Sequence, residues 1–178
     1  MNNFAEIILV QSFDKVNYYS LSINDDDSLF RQFVVKHTAE NSEKLNHIMA
    51  WIKEIGTNTG AHERYFRNES ETADTRALPP VGVDRDPLYV ETDDEGNAQN
   101  TSNNLRLYCM RLNDHVVFLF GGDIKTADKA QLCDNVRPHF RLANHLTKLL
   151  DNAIADKDIK WNKDCTDIIV DADFGLMW

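Results

Sequence analysis

The sequence predicts an α+β protein, a twisted, mainly antiparallel sheet packed against two or three helices. Three observations predict it. Segments rich in β-branched and aromatic residues open the chain, FAEIILV at 4–10 and VNYYSLSI at 16–23. Two more, LRLYCMRL at 105–112 and HVVFLF at 115–120, follow in the second half, and each neighbouring pair is joined by a short turn. Apolar residues at helical spacing fill two further stretches, one between the strand pairs and one after them.

The first two strands pair through the Ser12–Lys15 turn, and Asn24–Asp27 form an acidic turn. LFRQFVVK at 29–36 is read as a third strand, which gives an N-terminal meander. Asn41 or Ser42 caps a helix over 43–55, whose buried stripe is Leu45, Ile48, Met49, Ile52 and Ile55, with Gly56 as its C-cap. A short helical piece is expected over His62–Arg67. Residues 68–104 hold Pro79, Pro80, Pro87, the acidic run Asp93–Glu95 and NAQNTSNN; they are read as a long, partly mobile loop excursion with one extended piece at Leu88–Glu91. The 105–112 strand alternates, with Leu105, Leu107 and Cys109 on one side and Arg106, Tyr108 and Met110 on the other. Asn113-Asp114 turns it into the apolar strand 115–120, suited to a sheet centre and ended by Gly121-Gly122. A helix from Asn135 or Pro138 to Ile154 carries Phe140, Ala143, Leu146, Leu149 and Leu150 on one stripe, and DIIVDA in the tail reads as strand. The whole of 1–178 is expected to form one domain.

Charge is distributed unevenly. The 178 residues carry a formal −10. Residues 1–67 contribute −2, 68–105 contribute −7 and 151–178 contribute −4, while 106–150 alone are positive at +3. A surface that binds phosphate everywhere is excluded, because phosphate binding needs concentrated positive charge; the positive segment is the place to look for it. No apolar run approaches the length needed to cross a bilayer, and the N-terminus lacks the basic start of a secretory signal. Cys109, Cys133 and Cys165 share no CxxC spacing and are expected to be reduced thiols of a cytoplasmic protein. Cys109 is expected to be an inert buried thiol, and Asp134 to raise the pKa of Cys133. His37, His47 and His62 show no metal-ligand convergence, and the Asp25–Asp27 and Asp93–Glu95 pairs lack the pattern of a calcium loop, so neither metal nor cofactor is expected.

The hairpin 105–125 is the most informative stretch for candidate chemistry. Arg106, Tyr108 and Arg111 stand on its first strand, and the second exits through two glycines into Asp123-Ile124-Lys125-Thr126. Glycines permit a close backbone approach, arginine offers a planar fork of donors to phosphate, and lysine a compact charge. Tyr108, His139 and His115 are candidates for proton transfer or base stacking. The plainer alternative is a solvated strand pair ended by an ordinary turn.

LRLYCMRLNDHVVFLFGGDIKTA, followed by DKAQLCDNVRPHFRLANHL, resembles the core hairpin of the RelE/HigB-like toxins, in particular their phage-derived branch. The resemblance spans about 43–150 and is best in the hairpin. It implies N-terminal helices packed on an antiparallel sheet, a RelE/ParE-like core with a cleft for RNA. It also implies metal-independent cleavage of messenger RNA, usually on the ribosome, by attack of a 2′-hydroxyl on the adjacent phosphate. Basic groups then stabilise the phosphorane, and a tyrosine, histidine or acid assists proton transfer. Carried over by position, Arg106, Tyr108 and Lys125 are the matched catalytic candidates, with His139 and Arg141 added as sequence neighbours; Arg111, Lys129 and Arg137 are the RNA-binding candidates. An antitoxin protein is an implied partner.

This chain departs from that pattern in being acidic and in carrying the extensions 4–36, 68–104 and 151–178. An acidic segment folded over the basic hairpin would mimic RNA. The competing expectation is a non-catalytic interaction module on the same scaffold, whose arginines pair with the chain's own acids and whose FGLMW terminus docks on its own domain or forms a homodimer.

Overall fold

The computed structural model describes residues 1–69, 74–82 and 86–178. Strands β1 (Phe4–Ser12) and β2 (Asn17–Ile23) form the expected antiparallel hairpin. The next segment is a helix, α1 (Leu29–Glu40), and not the third strand of a meander. Ser28 Oγ accepts from the Arg31 N–H at 3.2 Å, and Phe30, Phe33 and His37, spaced at helical intervals, are all buried. Helix α2 (Ser42–Glu54) buries Leu45, Ile48 and Ile52 of the expected stripe, while Met49, at its border, is exposed. The chain continues past Gly56 in one wide π-turn, Ile55–Thr59, and stops at Gly60, whose φ of +82° suits glycine. Gly56 is therefore not the cap; it is small because a Cβ there would come 2.5 Å from the Phe13 ring. Over His62–Arg67 only a single 3-10 turn forms, Glu63–Tyr65, before strand β3 (Arg67–Asn68).

The described part of the acidic excursion is largely strand. β4 (Thr75–Leu78) enters the main sheet, and β5 (Tyr89–Thr92) with β6 (Ala98–Thr101) makes a separate hairpin. In its turn Asp93 accepts from the Glu95 and Asn97 N–H groups and from the Asn97 and Gln99 side chains. Lys44 of α2 fastens the hairpin through Glu91 at 2.5 Å, with its ammonium over the Tyr89 ring.

β7 (Leu105–Arg111) and β8 (Val116–Ile124) pair antiparallel, as expected. The glycines do not end β8. Tyr108 faces two residues, Phe120 and Gly121, in a bulge, and the strand runs on to Ile124. Helix α3 (Arg137–Ala155) begins with Pro138 in its first turn. β9 (Ile159–Trp161) and β10 (Ile168–Val170) form a small hairpin, and β11 (Gly175–Met177) returns to pair with Phe4–Glu6 of β1. The apolar terminus is thus docked on its own sheet, Leu176 buried and Trp178 edge-on to His145.

The main sheet has seven strands in the order β11-β1-β2-β8-β7-β4-β3. All pairs are antiparallel except β2 and β8, which run parallel over three rungs, Asn17–Tyr19 against Val116–Phe118. α1 and α2 cover one face over Tyr18, Leu105, Leu107 and Leu119. α3 covers the other over Tyr108, Phe118 and Phe120. Beyond the parallel rungs α1 packs along β8: His37 Nε2 donates to the Gly122 carbonyl at 3.3 Å, while Asn41 Nδ2 donates to its Nδ1 at 2.9 Å. No helix among the described residues is long and apolar enough to cross a membrane.

Candidate functional site

Pairing β7 with β8 sets the start of one beside the end of the other, which brings Arg106 and Lys125 together. β3 leads Glu69 to the same place. Arg106 Nε donates to Glu69 Oε1 at 3.1 Å, and Lys125 Nζ to Oε2 at 2.6 Å. The three side chains are only 9%, 13% and 6% exposed, so the cluster is an interior one. Backbone bonds fix both cations: Arg106 Nη1 donates to the Asn103 carbonyl at 2.7 Å, and the Lys125 N–H to the Asn104 carbonyl at 2.8 Å. Arg67 lies close enough to feel the charge. Burial, aided by the positive charge of Arg106, brings its pKa down to about 10. It donates to the Pro79 carbonyl at 2.6 Å. Asp123, the register partner of Arg106, turns to Lys36 at 2.6 Å; burial pushes its pKa up, but that ion pair and the Ile124 N–H outweigh burial and hold it low.

Two of the five catalytic candidates, Arg106 and Lys125, therefore meet. Tyr108 does not serve as an exposed acid or base: it is fully buried, packed on Phe140, and its hydroxyl has no hydrogen-bond partner among the described residues. Burial, then the negative charge of Glu69, pushes its pKa far up. His139 lies against Gly121 in the first turn of α3, near Asp123, Lys36 and His37; burial lowers its pKa. Arg141 is exposed on α3. The RNA-binding candidates do not gather into one patch. Arg111 stands five residues along β7 from Arg106, about 17 Å at strand spacing, and is bonded to the Ala61 carbonyl and to Asp114. Lys129 is exposed in the loop before α3. Arg137 is tied to the Gln131 carbonyl at 2.7 Å and Asp134 at 3.0 Å.

Glu69 is not among the candidates read from the sequence, because nothing in RNES marks one acid among nine in that stretch as the partner of a strand far ahead. Cys133 differs from expectation in sign. The Thr126 N–H points at its Sγ at 3.3 Å and the Thr126 hydroxyl lies at 3.4 Å. Burial pushes the thiol up, but hydrogen bonds from Thr126 and from the Val136 and Asn135 N–H groups prevail and bring its pKa down to about 7. A thiol titrating lower in the folded than in the unfolded chain adds stability that is complete above the unfolded pKa, about 8.5. That stability disappears as pH falls through the folded value. Urea unfolding of wild type and Cys133→Ala is therefore expected to diverge between pH 7 and 9, wild type gaining, and to run parallel below pH 7.

Among the described residues no group of three or more His, Cys, Asp or Glu side chains is placed to hold a metal ion. No protein-family model, curated protein or solved structure matches the chain.

Proposed function

We propose that the chain is a RelE/HigB-like RNA endonuclease in which Arg106 and Lys125 bind the scissile phosphate and Glu69 accepts the proton of the attacking 2′-hydroxyl. The observation that carries this reading is the convergence of two cations from adjacent strands on one carboxylate, with the pKa of Arg67 depressed beside them. The seat Glu69 takes between the two cations in the free protein is one a phosphate also fits. With RNA bound, the cations turn to the phosphate oxygens and the carboxylate is left beside them as base. The 2′-oxygen–phosphorus bond forms, the bond to the 5′-oxygen breaks as that oxygen takes a proton from solvent, and the cations offset the charge of the phosphorane. The placement of α2 on one face of a mainly antiparallel sheet also supports the reading.

A second reading, a non-catalytic interaction module, is favoured by the low exposure of the same three side chains, which suits an internal tie holding the end of β3 to the sheet. RNA cleavage by the purified chain, on free transcripts and on translating ribosomes, separates the two. The endonuclease reading expects cleavage that falls by about 10²–10³-fold in Lys125→Ala, with the far-ultraviolet spectrum unchanged, and products ending in a cyclic phosphate. Intact RNA in both formats, together with normal growth of cells expressing the chain, would leave the second reading.

A further inference from the structure

β1 leaves part of the main sheet's edge open. Asn3 and Trp178 exchange backbone hydrogen bonds at 2.7 and 3.1 Å, so Ala5, Ile7 and Leu9 also turn their N–H and C=O groups to that side of β1. β11 makes its last rung at Glu6–Gly175, and β1 runs on to Ser12 with no further strand outside it. The two edges of the sheet differ. β3, at the other end, is blunted by being two residues long and including Arg67. From Ile7 to Ser12, β1 holds no charge, proline or glycine, and its one irregularity is a bulge between Leu9 and Gln11. Ile8 and Leu9 are 37% and 53% exposed, and nowhere else among the described residues are two consecutive large apolar side chains exposed.

A hollow flanks this edge on each face of the sheet. One, of about 390 Å³, is lined by Val10, Phe13, Phe30 and Met49, with Lys53 as its charged residue. The other, of about 340 Å³, is lined by Ile7, Leu9, Ile168 and Val170, with Glu6 and Asp171 as its charged residues. A strand added to the edge points alternate side chains to the two faces, and so towards both hollows. The occupant that fits is therefore an extended, uncharged segment with apolar side chains at successive positions. Ile7-Ile8-Leu9-Val10 of β1 is itself such a segment.

We infer that two copies of the chain associate edge to edge, β1 of one antiparallel to β1 of the other about a two-fold axis near Leu9. Each copy then offers Ile8 and Leu9 to the hollows of its partner, as an isologous contact requires, and the two seven-stranded sheets become one. The seam is uncharged, although each copy carries −10. Salt that screens the repulsion between copies therefore strengthens the dimer. The inference is independent of the RNA reading, since β2 and β8 separate β1 from β7 and Arg106.

Sedimentation velocity of the purified chain tests it. A monomer–dimer equilibrium is expected, with a dissociation constant of about 1–100 μM for so short a seam and tighter association at higher salt. Leu9→Lys and Ile8→Lys are each expected to weaken the dimer at least tenfold with urea midpoints close to wild type. Val35→Lys, on the exposed face of α1, is expected to leave it unchanged. Deuterium exchange at the Leu9 amide is expected to slow as protein concentration rises. A wild-type chain that stays monomeric at every concentration would leave the edge to a foreign strand and overturn the inference. So would a dimer indifferent to both lysines on β1, or one that weakens as salt rises.

Discussion

Gly122→Ala is expected to leave little native protein. Gly122 stands opposite Leu107 just past the bulge, and a Cβ there would lie 1.7 Å from the Arg106 carbonyl oxygen and 3.1 Å from the Leu107 Cα. Those are backbone atoms of a central strand, so no rotamer change relieves the overlap; β7 and β8 must separate where Leu105, Leu107 and Leu119 are fully buried. The cost belongs to the exceptional class of single substitutions, more than about 4 kcal/mol. Gly121→Ala is the control. Its Cβ would meet His139 Nδ1 at 3.1 Å, the end of a side chain that can turn away, and a loss of about 1 kcal/mol or less is expected. Urea melts followed by tryptophan fluorescence check both; two adjacent glycines with similar midpoints would contradict the close approach.

Arg106→Ala is expected to destabilise the fold by about 3 kcal/mol, the lower end for breaking a buried ion pair, because Lys125 still serves Glu69. Two further acceptors, the Asn103 and Leu105 carbonyls, lose their donor as well. Glu69→Gln is expected to cost a comparable amount for the opposite reason: Arg106 and Lys125 would then face each other near Arg67 without a negative charge between them. A double-mutant cycle between the two positions measures the coupling. If it comes to less than about 0.5 kcal/mol, the cluster behaves like surface pairs and the burial argument is wrong.

What could be read from the residues followed from how local the cause was. β7, α2 and α3 carry period-two or helical patterns, and each formed where its pattern lay, whereas β8 formed over its apolar run and then continued through the glycines expected to end it. Segment 29–36 misled because Leu29-Phe30 and Val34-Val35 look like a buried strand, whereas the deciding signal was Ser28 and the spacing from Phe30 to His37. β4 was hidden because four residues beside Pro79-Pro80 hold no period; the edge of β7 recruits them from outside. β11 is likewise strand by virtue of β1. At the site, Arg106 and Lys125 were legible from the hairpin register, since adjacent strands fix their meeting. Glu69 was not, because its placement depends on β3 and β4 reaching the sheet. Burial of Tyr108 depends on α3 lying over it, which alternation along one strand does not reveal.

The parallel pair has a consequence for how the molecule assembles. β1 with β2, and β7 with β8, are hairpins whose partners are near in sequence, so each closes early at small entropic expense. The three rungs between Asn17–Tyr19 and Val116–Phe118 join chain segments separated by more than half the protein. That seam, like the β11–β1 pair whose strands lie still further apart in sequence, should zip after the hairpins during refolding and part before them on opening. Its amides should exchange with deuterium sooner than those of the hairpins on either side.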